Sequence, residues 1–99
     1  MKRYSGIRKG HTIVVTVDDA PLDPRLDLWP HSPTGFEWGY GGAGPSQLAL
    51  ALVADCCQDE KFAVEIHQEF KEAVVAKLPR QSWTLTDSQI RKAIASSVQ

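Results

Sequence analysis

The chain has 99 residues, 42% hydrophobic and 23% charged, ordinary globular values that exclude the disordered and fibrous classes. Eleven Lys and Arg against twelve Asp and Glu leave a formal net charge of −1, without the basic excess of a dedicated nucleic-acid binder or the strong acidity of a nucleic-acid mimic. A chain of this length can bury one core but not two, so a single α+β domain over residues 1–99 is expected.

The longest apolar run, Leu48 to Ala54, falls far short of the roughly 20 residues that span a bilayer. Met1 to Gly6 is basic, but no apolar segment follows it, so it does not read as a signal peptide. A cytoplasmic protein with no membrane partner is the expectation.

Tyr4 to Arg8 and Thr12 to Val17 read as two strands joined by a turn at Lys9-Gly10. In the second, β-branched Ile13, Val15 and Val17 alternate with Thr12, Val14 and Thr16, which is the period of a half-buried strand. Asp18 to Pro21 supplies turn chemistry. Leu22, Leu26 and Leu28 suggest a third extended stretch, which Pro24 confines to an edge. Residues 29–44 are dense in Pro, Gly and aromatics, and the alternation of Phe36, Trp38 and Tyr40 with glycines and Glu37 predicts a short strand with one bulky face.

Three helices follow. Pro45 suits a first helical position, and the segment to Cys57 is apolar all round, as a buried central helix would be. Asp59 is placed to cap a second helix ending at Pro79, whose Phe62, Ile66, Phe70, Val74 and Leu78 form one stripe; His67 falls on its flank and reads as a surface or boundary residue. Thr86 and Gln89 form a capping box, with Leu85 and Ile90 placed as a hydrophobic staple, and the third helix fades after Ile94. The expected fold is therefore a small antiparallel sheet packed with three helices, the first of them central.

Gly39-Tyr40-Gly41-Gly42-Ala43-Gly44 fits G-x-G-x-x-G and opens a helix, where free N–H groups and the helix dipole favour an anion. No strand follows that helix to complete a βαβ unit, and Pro45-Ser46-Gln47 lacks the lysine of a phosphate-binding P-loop. A glycine turn used for packing is the competing reading. His31, Ser32, Glu37 and Tyr40 share the loop, but no nucleophile–base spacing ties them together, so no catalytic set is assigned. Glu37 faces solvent or receives Arg25 or Arg80. Adjacent Cys56 and Cys57 cannot bond within a helix and are too few for a structural zinc site; two free thiols and no metal or cofactor are expected.

The run from His31 to Ala51, HSPTGFEWGYGGAGPSQLALA, with Ala54-Asp55 and the later Phe70-Lys71, Leu78-Pro79-Arg80, Trp83 and Leu85-Thr86, resembles a family of small bacterial and phage proteins known only as a domain of unknown function. The resemblance spans roughly Tyr4 to Ala93. A serine commonly stands in that family where Ala43 stands here, which removes a hydroxyl from the glycine turn. The resemblance implies no activity and transfers no catalytic residue.

The leading expectation is a non-enzymatic binding protein that engages a macromolecular partner, protein rather than nucleic acid, through the loop 29–44. Its candidate contact residues are His31, Glu37, Trp38, Tyr40, Gly41, Gly42 and Gly44. The alternative is a small-ligand or anion binder, or an enzyme, using the glycine turn 39–44. A weaker one is a nucleic-acid contact through Lys2, Arg3, Arg8 and Lys9.

Overall fold

Alternating β-branched residues build the first hairpin. In the computed structural model, which describes residues 1–33 and 35–97, β1 (Arg3–Lys9) and β2 (Thr12–Val17) pair antiparallel from Tyr4↔Val17 to Lys9↔Thr12. The turn is therefore Gly10-His11, one place later than the sequence suggests. β3 is only Ala20–Pro21, at the edge of β2. The extended stretch expected through Leu26 and Leu28 does not form. Arg25 has φ +56°, and the Leu28 N–H donates to the Arg25 carbonyl, so the chain turns there.

A strand missed in the sequence completes the sheet. β4 (Ser82–Thr86) pairs antiparallel with the free side of β1, giving the order β3-β2-β1-β4. Trp83 lies opposite Gly6 and packs flat against it; a Cβ there would come within 2.4 Å of the indole. Tyr4, Val15 and Trp83 are buried on the face shared with the helices, while Ile7 and Val14 remain exposed on the other. The helices thus cover one face of the sheet.

α1 (Ala43–Cys57) begins two residues before Pro45, with Gly42 at the N-cap position. Pro45 is then the third helical residue, where its missing N–H costs nothing because the first four donors have no intrahelical partner. The helix is buried from Pro45 to Ala54 and packs against α2 (Glu60–Ala73) and α3 (Asp87–Ser97). Asp59 caps α2 as expected, accepting from the Phe62 N–H at 3.0 Å. The regular helix stops at Ala73, and a 3-10 turn, Val75–Lys77, carries the chain on to Leu78. Pro79 holds Leu78 extended (φ −68°, ψ 146°).

The capping box at α3 is present in both halves. Thr86 Oγ1 accepts from the Gln89 N–H at 3.1 Å, and Gln89 Oε1 accepts from the Thr86 N–H at 2.9 Å. The helix runs to Ser97, about one turn past the expected fade at Ile94. Leu48, Leu52, Ile66, Phe70 and Ile90 share one core.

At the other end of the sheet the buried Tyr4 donates to Asp55 Oδ2 at 2.6 Å, and Lys2 pairs with the same carboxylate at 3.1 Å. Burial, aided by Asp55, pushes the phenol well above its ordinary value and keeps it protonated. Both cysteines are free, and burial pushes the Cys56 thiol up to about 11, so it is a poor nucleophile. Among the described residues no helix is long and apolar enough to cross a membrane.

Candidate functional site

The loop between β3 and α1 is not a strand at Phe36 to Tyr40. Gly39 has φ +86° and sends its N–H to the Val75 carbonyl, which turns the chain and places the aromatics on different sides. Trp38 is fully buried, whereas Tyr40 is 44% exposed. The Trp38 indole N–H donates to the Pro79 and Arg80 carbonyls at 2.9 and 3.0 Å, and its ring meets Trp83 edge-on at 5.6 Å. Trp38 is therefore architecture rather than contact surface.

Glu37 receives neither Arg25 nor Arg80. Its carboxylate takes a two-pronged pair of hydrogen bonds from the Arg8 guanidinium, at 2.8 and 3.1 Å, and Arg8 lies 5.0 Å from the centre of the Trp38 ring. Those bonds hold the Glu37 carboxyl below its ordinary range. Arg25 instead pairs with Asp27 and Glu60.

The glycine turn is filled by the chain itself. A Cβ on Gly42 would lie 2.9 Å from the Tyr40 ring, and one on Gly44 would lie 2.6 Å from Glu37 Cβ, so these two glycines are packing residues. Among the described residues no atom stands within 4 Å of a Cβ on Gly41. Gly44→Ala is accordingly expected to cost about 1–3 kcal/mol by overpacking. Gly41→Ala should stay within about 0.5 kcal/mol of the parent. Equal unfolding midpoints for the two variants would refute this account of the turn.

Beside the turn, His11, Ile13, Ser32, Phe36, Glu37 and Tyr40 border a hollow of about 370 Å³. Among the described residues no side chain caps α1 at Gly42, but the wall nearest Gly44 is the Glu37 side chain, already paired to Arg8. A larger hollow of about 840 Å³ carries Asp23, Asp27, Asp55, Asp59 and Glu60 against Arg25 and Lys61. Arg25 serves two of those carboxylates and Lys2 a third. Among the described residues no group of three or more His, Cys, Asp or Glu is placed to hold a metal ion.

His31 is turned towards α2 rather than towards Glu37 or Tyr40. Its Nε2 lies 2.9 Å from Nε2 of His67, and Trp29 stacks on its ring at 4.7 Å. His67 is only 1% exposed, which corrects its reading as a surface or boundary residue. The signal was available in the sequence: Ala63, Ile66, His67 and Phe70 stand at i, i+3, i+4 and i+7, the spacing of a buried helical stripe, and all four are buried. Gln47 was also missed. Fully buried on α1, it donates to the Pro24 carbonyl at 2.6 Å and accepts from the Ser32 N–H at 2.9 Å, bracketing both ends of the loop's first half.

The predicted site residues thus divide. Glu37, Tyr40 and Gly44 meet around the smaller hollow, His31 joins Trp29 and His67 on α2, and Trp38 enters the core. Of the hairpin cations, Lys2 pairs with Asp55 and Arg8 with Glu37, which breaks up the basic patch.

Fold and loop together define a small α+β protein whose helices cover one sheet face and grip an aromatic, glycine-rich loop. The chain belongs to a family of unknown function (DUF6166), which it matches over residues 4–96. No curated protein and no solved structure matches it.

Proposed function

We propose that this chain is a binding protein that docks a protein partner through the exposed aromatics of the loop 29–44. The observation that carries this reading is the exposure of Trp29 and Tyr40, at 46% and 44%, on a segment with no lysine or arginine. Large aromatics left in solvent are the side chains that supply most binding energy at protein interfaces. A nucleic-acid site needs cations for the phosphates, and this segment offers none. Its one charge, Glu37, is already paired with Arg8.

The hollow beside Gly44 supports a second reading, a small ligand held at the start of α1. The Glu37 carboxylate on its wall disfavours an anion there.

The test is capture by the immobilised chain from a cell extract, with Trp29→Ala/Tyr40→Ala in parallel. A protein retained by the parent and lost from a still-folded double variant is the expected result. Retention unaffected by the substitutions, or of nucleic acid alone, would count against the reading. Backbone shifts at Ala43 and Gly44 on adding inorganic phosphate would favour the second one and show that the Arg8 pairing offsets the Glu37 charge there.

A further inference from the structure

The His31–His67 contact has only one arrangement of protons that fits its surroundings. His67 Nδ1 faces the carbonyl oxygens of Val64 and Ala63, at 2.8 and 3.1 Å. Carbonyls only accept, so Nδ1 carries the hydrogen and Nε2 of the neutral ring presents a lone pair. The 2.9 Å contact is then His31 Nε2–H donating to His67 Nε2, which leaves the His31 Nδ1 lone pair unused in the contact.

A first added proton goes to His31 Nδ1 and leaves this hydrogen bond intact. A second has only His67 Nε2 to take. It removes the acceptor and sets two N–H groups and two positive charges against each other across 2.9 Å. We propose that the pair is a proton-operated latch: with fewer than two protons added it fastens Trp29 and His31 to α2, and the second proton releases them from that helix.

The neighbours of the pair do not offset that charge. On α2 the Gln68 amide lies 3.5 Å from His67 Nε2, and the Lys71 charge opposes protonation of His31. α1 contributes Ser46, bonded to Gln68, and Gln47, bonded to Ser32, both neutral. The loop contributes the neutral Trp29 ring, against both imidazoles. Among the described residues, no carboxylate is hydrogen-bonded to either histidine.

Burial first, then His67 and Lys71, lowers His31 from its ordinary value of 6.5. The unfolded chain therefore binds more protons at this position than the folded one. The stability that the folded surroundings draw from a neutral His31 is fully present above pH about 6.5 and declines as the pH falls through the depressed value, while the hydrogen bond itself is lost only with the second proton. The Ser32–Gln47 bond does not titrate in this range, so release is confined to the residues before it. Any effect on partner docking rests on the reading above, whereas the latch itself does not.

The experiment is an NMR titration of the isolated chain from about pH 8 to about pH 5, a range that brackets histidine but lies above most carboxylates. It follows the histidine ring protons, the Trp29 indole and the core amides of Leu52 and Ile90. The expected result is a Trp29 shift that follows the second histidine step rather than the first, while the core amides stay in place. His31→Gln keeps a donor for His67 Nε2 and, by turning its amide, can accept from that nitrogen once it is protonated, so no pair of like charges forms and the Trp29 signal should stay in place. A Trp29 signal that does not move in the parent overturns the latch. So does a shift of equal size in the variant, or loss of the core signals over the same range. The parent titration decides even where the variant does not fold, and no partner is needed for either.

Discussion

Trp38→Ala is expected to lower stability by about 3–5 kcal/mol, a large part of what a domain of this size possesses. The indole is fully buried and wedged between the Arg8 guanidinium and the edge of Trp83. Its removal opens a cavity under the loop and takes away the donor to Pro79 and Arg80. At about 4–8 °C per kcal/mol for a domain of this length, the melting midpoint should fall by more than about 10 °C. Trp38→Phe separates the two contributions. It keeps most of the apolar volume, the Arg80 carbonyl still accepts from Arg8 Nε–H at 3.1 Å, and the Pro79 carbonyl belongs to an exposed residue that water can reach, so its loss should be well under that of alanine. An alanine variant that melts with the parent would show that the loop does not depend on this anchor.

Leu52→Ala should cost about 2–5 kcal/mol, and so should Leu50→Ala. The pairing matters because the two side chains leave the helix roughly 200° apart. On an amphipathic helix one of them would be cheap to remove. In α1 both are fully buried, between α2, α3 and the sheet face. Chemical denaturation of the two variants measures this, and a Leu50→Ala change within about 0.5 kcal/mol of the parent would mean that one side of α1 is open.

What could be read in advance follows from how local each signal is. The hairpin, the buried α1 and the Thr86–Gln89 box are written in neighbouring residues and all three form, the hairpin turn one residue later and α1 starting two residues earlier than expected. β4 was illegible because five residues after Pro79 give only two inward side chains, Trp83 and Leu85, and its pairing to β1 is a contact across most of the chain. The partner of Glu37 had the same character. Arg8 faces inward from β1 alongside Tyr4 and Gly6, a placement that only the sheet's register assigns. The alternation at Phe36, Trp38 and Tyr40 misled because one glycine with positive φ reverses the parity of every side chain beyond it. At His67 the period was misjudged: a step of four alone misses the neighbour that completes a 3.6-residue repeat. For the candidate site, the loop's composition was legible, but the division of its aromatics between core and surface was not.

The sheet's strand order also governs the course of folding. β1 is an interior strand whose two neighbours come from opposite ends of the chain, β2 directly after it and β4 at Ser82–Thr86. During synthesis the hairpin can close early, since it joins neighbouring residues. Its second edge has no mate until Ser82–Thr86 has been made, and bringing Arg3 to Thr86 closes a very long loop. Until then β1 presents a row of unpaired backbone groups, the kind of edge on which chains associate wrongly. A chain cut short before Ser82 would keep that edge permanently.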